Sequence, residues 1–568
     1  MKHGTPEDSP GVSAVVSKYL TVHGKLYDPS AGYALCVARP DQSLERALNI
    51  PFHLLAPNSG SQLVELLMRG GHVALISECA PKEIAAALRL QAQTTRTWVI
   101  ERPGVHVLDG DGEGGGNRFL VMHGRVYAVG PGGSDRVSLK LTGAAARKPE
   151  AKRDLTHFNR HLAPVFAANP RMLVVVSMAL AALLARLFGR KPLSLLLVGQ
   201  SSRGKSLVQS LVLDLVLGFG KVISFNATPV GLHDLLADSP DQPVFLDDVN
   251  LVHSAPALFG AIMDVGNGAG RIRARSATRE RPADPVTATL IMSAERCLAD
   301  TARLARQPLN AGIFARVFEM GLGEHGIFDD LCGRADGGAL AKYLQTVGPE
   351  YCGVLGSAFL EAVAADWSRV KNLHERHLGQ VREEIKEAAG DQELTALSGR
   401  LLDGLAFAAF AGCLATKLGV LDVQRKQVTA AFGLVFGEYL ERMAGAATPI
   451  AEVVIAAVRH YIQTNPARFL PIAQASQPVK ANGLSGYTKV AADGSLLYLF
   501  FPGAFREKFE DRYGREVYTL LKEAGFLSAQ PNRHNLTTVR LPRADGDKGR
   551  REDFIAIRDS ILDSSHRF

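Results

Sequence analysis

The chain has 568 residues, enough at roughly 150 per domain for three or four domains, and is 46% apolar, 21% charged and 7% aromatic. That composition excludes global disorder, collagen and a dominant coiled coil. Lys+Arg number 64 against 57 Asp+Glu, a net charge of +7 with a pI near 9.0, so the basic excess has meaning only where it is concentrated.

The N-terminal MKHGTPEDSPGVSAVVSKYL carries acidic residues and prolines where an export signal needs a basic start and an apolar run, so no export is expected. Cys36, Cys79, Cys297, Cys332, Cys352 and Cys413 lie far apart without a CxxC pair. They predict reduced thiols and a cytoplasmic setting, with neither a zinc site nor a disulfide framework. From 16 to about 130, short β-like runs (YALCVA, HVALI, TWVIE, RFLVMHGRVYAVG) surround one helical segment, PKEIAAALRLQAQ. This reads as an α+β domain over 1–145 with no recognisable catalytic constellation. A basic linker, 146–168, follows. The apolar stretch 173–188 is short for a membrane span, contains Arg186 and runs into LSLLLVG, so it is expected to be a buried helix, with no membrane partner.

Residues 169–328 alternate helix and apolar β-run, the pattern of a parallel sheet with crossover helices, and 329–446 read as helical. After Ala446-Ala447-Thr448-Pro449, the unit 447–545 predicts a helix over 451–464, a loop around 470–486, two helices (503–511 and 515–525) and a hairpin in SAQPNRHNLTTVRLP. Helices closed by a β-wing suggest a winged-helix domain. The tail, 546–568, is expected to be charged and to end in a short helix.

The sharpest motif is Gly199-Gln200-Ser201-Ser202-Arg203-Gly204-Lys205-Ser206, a G-x-x-x-x-G-K-S loop between an apolar strand and an apolar helix. Glycines let such a loop wrap phosphates so that backbone N–H groups and the helix N-terminus face the negative charge. Lys205 is expected to reach the β- and γ-phosphates of ATP, and Ser206 to ligate Mg²⁺. Downstream, QPVFLDDVN ends a strand in Asp247 and Asp248. Asp247 is expected to hold magnesium through water and Asp248 to polarise the attacking water, unless the pair is simply a solvated strand-end turn.

A third strand, ATLIMSAE, ends in Ser293 and Glu295 and is expected to lie between the first two, where a polar side chain could orient water or sense the γ-phosphate, unless it is an ordinary strand terminus. Arg316, in NAGIFARVFEM, sits between apolar residues at a turn. It suits either a guanidinium offered to a neighbouring subunit's nucleotide or a structural ion pair. In GNGAGRIRARSATRERP, Arg271, Arg273 and Arg275 alternate at period two, so a β-hairpin would project all three from one face. Such a row fits phosphates along a nucleic-acid strand, or a solvated edge that blocks strand pairing. Arg400 starts a helix whose apolar width implies a core helix, and it suits either a phosphate contact or a purely structural place there. His157 with His161, and His374 with His377, have helical spacing but no third ligand nearby.

The run from NPRMLVVVSMALAALLARL through GQSSRGKS, FLDDVN, GNGAGRIRA, LIMSAE, NAGIFARVFEM and HGIFDDL resembles the domain of unknown function 927 family over roughly 75–440. That family occurs in mobile elements, phages and plasmids and includes helicases of staphylococcal cassette elements. The resemblance implies an α/β P-loop AAA+ ATPase core like that of the minichromosome-maintenance helicases, with a helical lid, a hairpin before the sensor strand and a C-terminal winged helix.

By that likeness Lys205 and Ser206 serve nucleotide and magnesium, Asp247 and Asp248 form the acidic motif, and Ser293 is the first sensor. Arg316 resembles an arginine finger acting in trans and Arg400 a second sensor. Two departures stand out: Asp248 replaces the usual glutamate, and the first sensor is ambiguous between Ser293 and Glu295. The expected partners are single-stranded or forked DNA, further copies of the chain in a hexamer, and replication proteins of the element. The expected activity is an ATP-driven helicase or translocase, with a regulatory ATPase switch or loader as the alternative.

Overall fold

A computed structural model describes residues 10–28, 32–43, 46–56, 58–108, 117–129, 138–225, 228–249, 255–268, 286–305, 307, 311–390, 394–446, 450–476, 483–491, 493–514, 516–530, 535–542 and 550–562. The chain divides into two compact units, 1–440 and 441–568.

The first unit opens with β1 (Thr21–Asp28), β2 (Gly32–Ala38), β3 (Leu48–Pro51) and β4 (Thr97–Ile100). A meander follows, formed by β5 (Gly104–Leu108), β6 (Asn117–Met122) and β7 (Arg125–Ala128), and then β8 (Ser138–Leu141). The first sheet has the order β3-β2-β1-β4-β8, with β1 antiparallel to β2 and parallel to β4. The helices Pro10–Tyr19, Gly60–Arg69, Val73–Glu78 and Pro81–Thr94 close a core around Leu35, Val37, Ile50, Leu63 and Leu88. The HVALI run, expected as a strand, lies mainly in the helix Val73–Glu78. A short apolar run reads alike for both states, but Leu75 is buried while Val73 is 54% exposed, a split that period-two pairing does not produce.

The meander does not pack as part of a separate N-terminal domain. Val105, Leu120, Met122, Tyr127 and Val129 join the largest core of the molecule, together with Phe158, Leu173 and Leu355. Buried Asp241 accepts the Val105 N–H at 2.7 Å, and Arg186 donates to the Val105 carbonyl at 3.0 Å and to Asp241 at 3.3 Å. The boundary expected near 145 therefore falls within shared packing.

His123 and Gly124 turn β6 into β7 with φ of 55° and 66°, both in the left-handed region that a two-residue hairpin turn needs. Burial pushes the His123 imidazole down to about 4, and its Nδ1 lies 3.0 Å from the Ser357 hydroxyl. In the unfolded chain the ring binds a proton near pH 6.5. The unfolded state thus holds more protons between pH 6.5 and 4, and stability falls as pH drops through that window. His123→Asn, which tolerates the turn, is expected to remove about 2–3 kcal/mol of the stability difference between pH 7 and pH 4.5. Urea unfolding midpoints at the two pH values check this; identical slopes in both proteins would refute it.

The second sheet contains β9 (Ser194–Val198), β10 (Ile223–Ser224), β11 (Pro243–Asp247), β12 (Thr289–Ala294) and β13 (Val317–Gly321). Its order is β10-β11-β12-β9-β13 and all pairings are parallel. The strands are nearly uninterrupted apolar runs because both faces are covered. Alternate residues separate two cores. Leu195, Leu197, Phe245, Ile291 and Phe318 face the helices Pro170–Leu184 and Lys205–Val216, whereas Leu196, Val244, Leu246, Leu290 and Met292 face Pro229–Ala237 and Ala255–Asn267.

Five helices follow: Gly337–Val347, Val354–Ala365, Trp367–Ala389, Ala396–Lys417 and Arg425–Ala446. Ala396–Lys417 is long and apolar enough to cross a membrane by length and composition, as is a core helix; most of it is buried, and it packs along Pro170–Leu184. The histidine pairs take packing roles: His157 Nδ1 lies 2.6 Å from the Tyr351 hydroxyl, and His374 stacks on Phe188. All six cysteines are unpaired, and burial pushes Cys36 up to about 11 and Cys413 up to about 12.

The second unit holds more strand than expected. It comprises the helix Ile450–Thr464, β14 (Phe469–Pro471), β15 (Gly486–Val490), β16 (Leu496–Phe500), a helical stretch over 502–513 with a π-turn at Arg506–Glu510, and the helix Glu516–Glu523. β17 (Leu527–Ser528), β18 (Thr537–Arg540) and β19 (Arg551–Arg558) complete it. β17 and β18 do not pair with each other as the expected hairpin required. Both run antiparallel to β19, with Leu527 opposite Ile557 and Thr537 opposite Phe554. The hairpin is β18–β19, and the tail expected to end in a helix supplies the strand that joins the others, followed by a 3-10 turn at Asp559–Leu562. The reason is the run Phe554-Ile555-Ala556-Ile557: Ile555 and Ile557 enter one core, Phe554 and Ala556 the other. Such a run, apolar on both faces and bounded by charges, forms a buried strand.

Candidate functional site

The loop 199–204 leaves the end of β9 and enters the helix Lys205–Val216 at Gly204, whose φ is +84°. A Cβ at Gly199 would stand 2.5 Å from the Leu322 side chain, and one at Gly204 would stand 2.6 Å from Ile327. The loop is thus packed beneath the segment 322–328. That segment is bonded to it as well: the Arg203 carbonyl accepts the Ile327 N–H at 2.9 Å, and the Arg203 guanidinium donates to the carbonyls of Gly323 (3.2 Å) and Glu324.

Lys205 is 8% exposed and donates to the carbonyls of Gly199 at 2.6 Å and Gln200 at 2.7 Å. Burial holds its ammonium below the usual lysine range, while the carboxylates of Glu295, Asp247 and Asp248, in that order, act against the shift. The acidic strand β11 ends beside the loop. Ser293 on β12 is buried; its hydroxyl donates to Asp247 Oδ1 and accepts the Asp248 N–H at 3.1 Å. Asp248 itself turns the chain with φ of 53°. Two residues after Ser293, Glu295 accepts the Ser201 hydroxyl.

As the sequence predicts, the strand carrying Ser293 lies between β9 and β11. The three strand ends together line a cavity of about 380 Å³, which includes Lys205, Ser206, Asp247, Asp248, Ser293 and Glu295.

One wall of this cavity is cationic and rich in backbone amides, and the other is carboxylate. A magnesium nucleotide suits that polarity: phosphates against the loop, metal against the acids. Among the described residues no group of three or more His, Cys, Asp or Glu forms a self-sufficient metal cage. Ser206 and Asp247 instead offer two oxygens, the kind of partial protein shell that magnesium takes when phosphates and water fill the remainder.

Arg316 and Arg400 do not join this cavity. They line a second one, of about 420 Å³, together with Arg190, Lys191, Leu193, Gly266 and Thr289. Leu193 and Arg316 immediately precede β9 and β13, and Thr289 begins β12. The second cavity therefore lies at the opposite, N-terminal ends of the strands, about 16 Å away along a five-residue strand. Arg316 donates to the carbonyl of Gly312 at 2.6 Å and to Asn267 Oδ1 at 2.8 Å, and its buried Nε has no hydrogen-bond partner among the described residues. No ion pair with an acidic residue accounts for this guanidinium among the described residues. Arg271, Arg273 and Arg275 lie outside the described residues.

Three positioning groups are given no role by the sequence reading. Gln209, fully buried, donates to the carbonyls of Leu246 at 3.0 Å and Ile291 at 2.9 Å, clamping the helix that follows the loop to both neighbouring strands just before Asp247 and Ser293. Asn169 Oδ1 accepts the N–H groups of Asp329 at 2.8 Å and Asp330 at 3.0 Å. Buried Arg171 binds Asp329, the Gly321 carbonyl at 3.0 Å and Glu438 at 2.6 Å. The last two fix the segment that covers the loop. NPR and FDD are legible as motifs, but their mutual contact spans some 160 residues and appears only in three dimensions.

Among curated proteins, none matches the chain in sequence. A solved structure described as the SCCmec type IV Cch active helicase shares the fold, with a TM-score of 0.57 at 13% identity over 96% of this chain and 94% of that one. The C-terminal region of NrS-1, in its A form apo structure, aligns with a TM-score of 0.30 at 10% identity over 70% of this chain and 86% of that one. The model of the family described as "Domain of unknown function (DUF927)" matches residues 1–284. The match begins well before the motif-based resemblance at 75 and stops just short of β12. Spanning half of the 568 residues, it establishes that the chain belongs to the DUF927 family.

Proposed function

We propose that the protein is an ATP-dependent DNA helicase or translocase of a mobile genetic element, built as an AAA+ P-loop ATPase and working as a ring, with hexamer as the expected size. The observation that carries this reading is the separation of the two cavities. A phosphate-binding loop, an acidic strand end and a polar sensor strand converge at the C-terminal ends of the strands, whereas Arg316 and Arg400 line the cavity at the opposite ends, out of reach of the same nucleotide. Two neighbouring copies complete the site when the arginine end of one meets the loop end of the next.

In this reading Gly199 to Gly204 cradle the phosphates with backbone N–H groups, and Lys205 neutralises the β- and γ-phosphates. Ser206 and Asp247 hold Mg²⁺, which supplies charge neutralisation of the phosphates when bound. Asp248 flanks the attacking water, and Ser293 keeps both aspartates oriented. Arg316 and Arg400 come from the neighbouring copy. Arg271, Arg273 and Arg275 track a single strand through the ring, and the β18–β19 hairpin is the wing of a C-terminal winged-helix module. The fold likeness to a protein described as an active helicase supports the assignment.

The test is complementation. Lys205→Ala and Arg316→Ala are each expected to be inactive. A one-to-one mixture regains ATPase activity because about one interface in four then pairs an intact loop with an intact arginine. No recovery would sink the shared-site arrangement. Adding single-stranded DNA separates the two modes of action: stimulated turnover with strand displacement supports the helicase, whereas turnover without either response identifies a regulatory switch or loader.

A further inference from the structure

We infer that Glu295, at the end of β12, is the group that accepts the proton of the attacking water, in place of the aspartate that follows Asp247. The inference rests on the ATP-hydrolysis reading above and names a base for it.

Four observations converge. Glu295 lines the same cavity as Lys205 and the two aspartates. Its carboxylate accepts the Ser201 hydroxyl, which places it against the third residue of the loop. Its strand is the central one of the three, so the carboxylate hangs between loop and acidic strand. Of the three carboxylates acting on the Lys205 ammonium, Glu295 acts most strongly.

Asp248 is less well provided. Its backbone N–H is fastened to Ser293, the chain turns there with φ of 53°, and its side chain is one methylene, about 1.5 Å, shorter than a glutamate's. A general base must come within hydrogen-bond distance of the water that it deprotonates. The longer carboxylate that follows the neighbouring strand lines the same cavity and has the greater reach toward such a water.

The step balances without a further reagent. A water O–H proton passes to a Glu295 oxygen as the water oxygen bonds to the γ-phosphorus. The bond from that phosphorus to the β,γ-bridging oxygen breaks, its electron pair leaves with ADP, and the proton returns to solvent or to the phosphate product.

Glu295→Gln is the discriminating variant because the amide oxygen still accepts the Ser201 hydroxyl but takes no proton. In the full chain, with ATP hydrolysis followed by phosphate release and binding by a fluorescent ATP analogue, Glu295→Gln is expected to lower kcat about 10²–10³-fold while leaving Kd within about threefold. Asp248→Asn is expected to lower kcat less than Glu295→Gln does. Glu295→Asp, which keeps a carboxylate, is expected to retain more activity than Glu295→Gln. Near-normal kcat in Glu295→Gln, a larger loss in Asp248→Asn, or a parallel loss of kcat and binding in Glu295→Gln would each overturn the assignment. Failure of the underlying reading looks different: wild-type protein would not hydrolyse ATP, or Lys205→Ala would hydrolyse it as well as wild type.

Discussion

Lys205→Ala is expected to lower ATP turnover on the order of 10³-fold while the protein still folds. Lys205 is the cation on the loop side of a cavity whose other wall carries Glu295, Asp247 and Asp248. Without it, an incoming triphosphate meets three carboxylates, offset by the backbone amides and by Arg203, whose guanidinium is already engaged by the Gly323 and Glu324 carbonyls. The ammonium is also preorganised: held by the Gly199 and Gln200 carbonyls and largely withdrawn from water, it needs little reorganisation to meet a phosphate. The fold loses less, because the two released groups are neutral carbonyls on a half-buried Gly199 and an exposed Gln200, where water can replace the ammonium. Phosphate release at saturating ATP is the measurement, with thermal unfolding as the control. A variant that keeps more than about a tenth of the wild-type rate would contradict the role given to this side chain.

The parts of this architecture that the sequence discloses are those encoded locally. The loop 199–206 announces itself because its glycines, lysine and serine fall between a strand and a helix in one continuous segment. LSLLLVG, QPVFLDD and ATLIMSAE read as strands because burial on both faces leaves them almost wholly apolar. What remained hidden depends on distant partners. Nothing near Gln209 indicates that its amide reaches two strands, since a glutamine in an apolar helix also suits a surface face. The meander 104–129 looked N-terminal by position, yet Val105, Leu120 and Tyr127 pack with helices far downstream.

The C-terminal unit misled for a related reason. Charged residues on either side of Phe554–Ile557 mark the tail as solvated, while the decisive fact, that strands from three directions need β19 to close their sheet, lies outside the segment. Arg316 and Arg400 were singled out separately. Arg316 stands opposite the loop because a parallel sheet fixes the polarity of every strand end at once, and the helix Ala396–Lys417 brings Arg400 to the same wall.

Arg171→Met is expected to be strongly destabilising, by about 3 kcal/mol, with the unfolding midpoint of the unit 1–440 falling by roughly 3 °C. Methionine keeps the length of the stem but removes the guanidinium that joins Asp329, the Gly321 carbonyl and Glu438. Asp329 has a side chain only 16% exposed and dominates the loss, because its carboxylate stays buried without its cation; Glu438, at 39%, is partly rehydrated and contributes less. Replacing both partners, Arg171→Met with Asp329→Leu, is expected to recover part of the loss, since the penalty lies in the stranded charge and not in the absence of the pair. The effect also reaches the site. Asp329 and Asp330 anchor the strip that covers the glycine loop through Arg203 and Ile327, so a surviving Arg171→Met protein is expected to bind ATP more weakly although Arg171 never touches the cavity. Stability equal to wild type in the single variant, or a double variant less stable than the single one, would show that the triad does not hold the loop's cover in place.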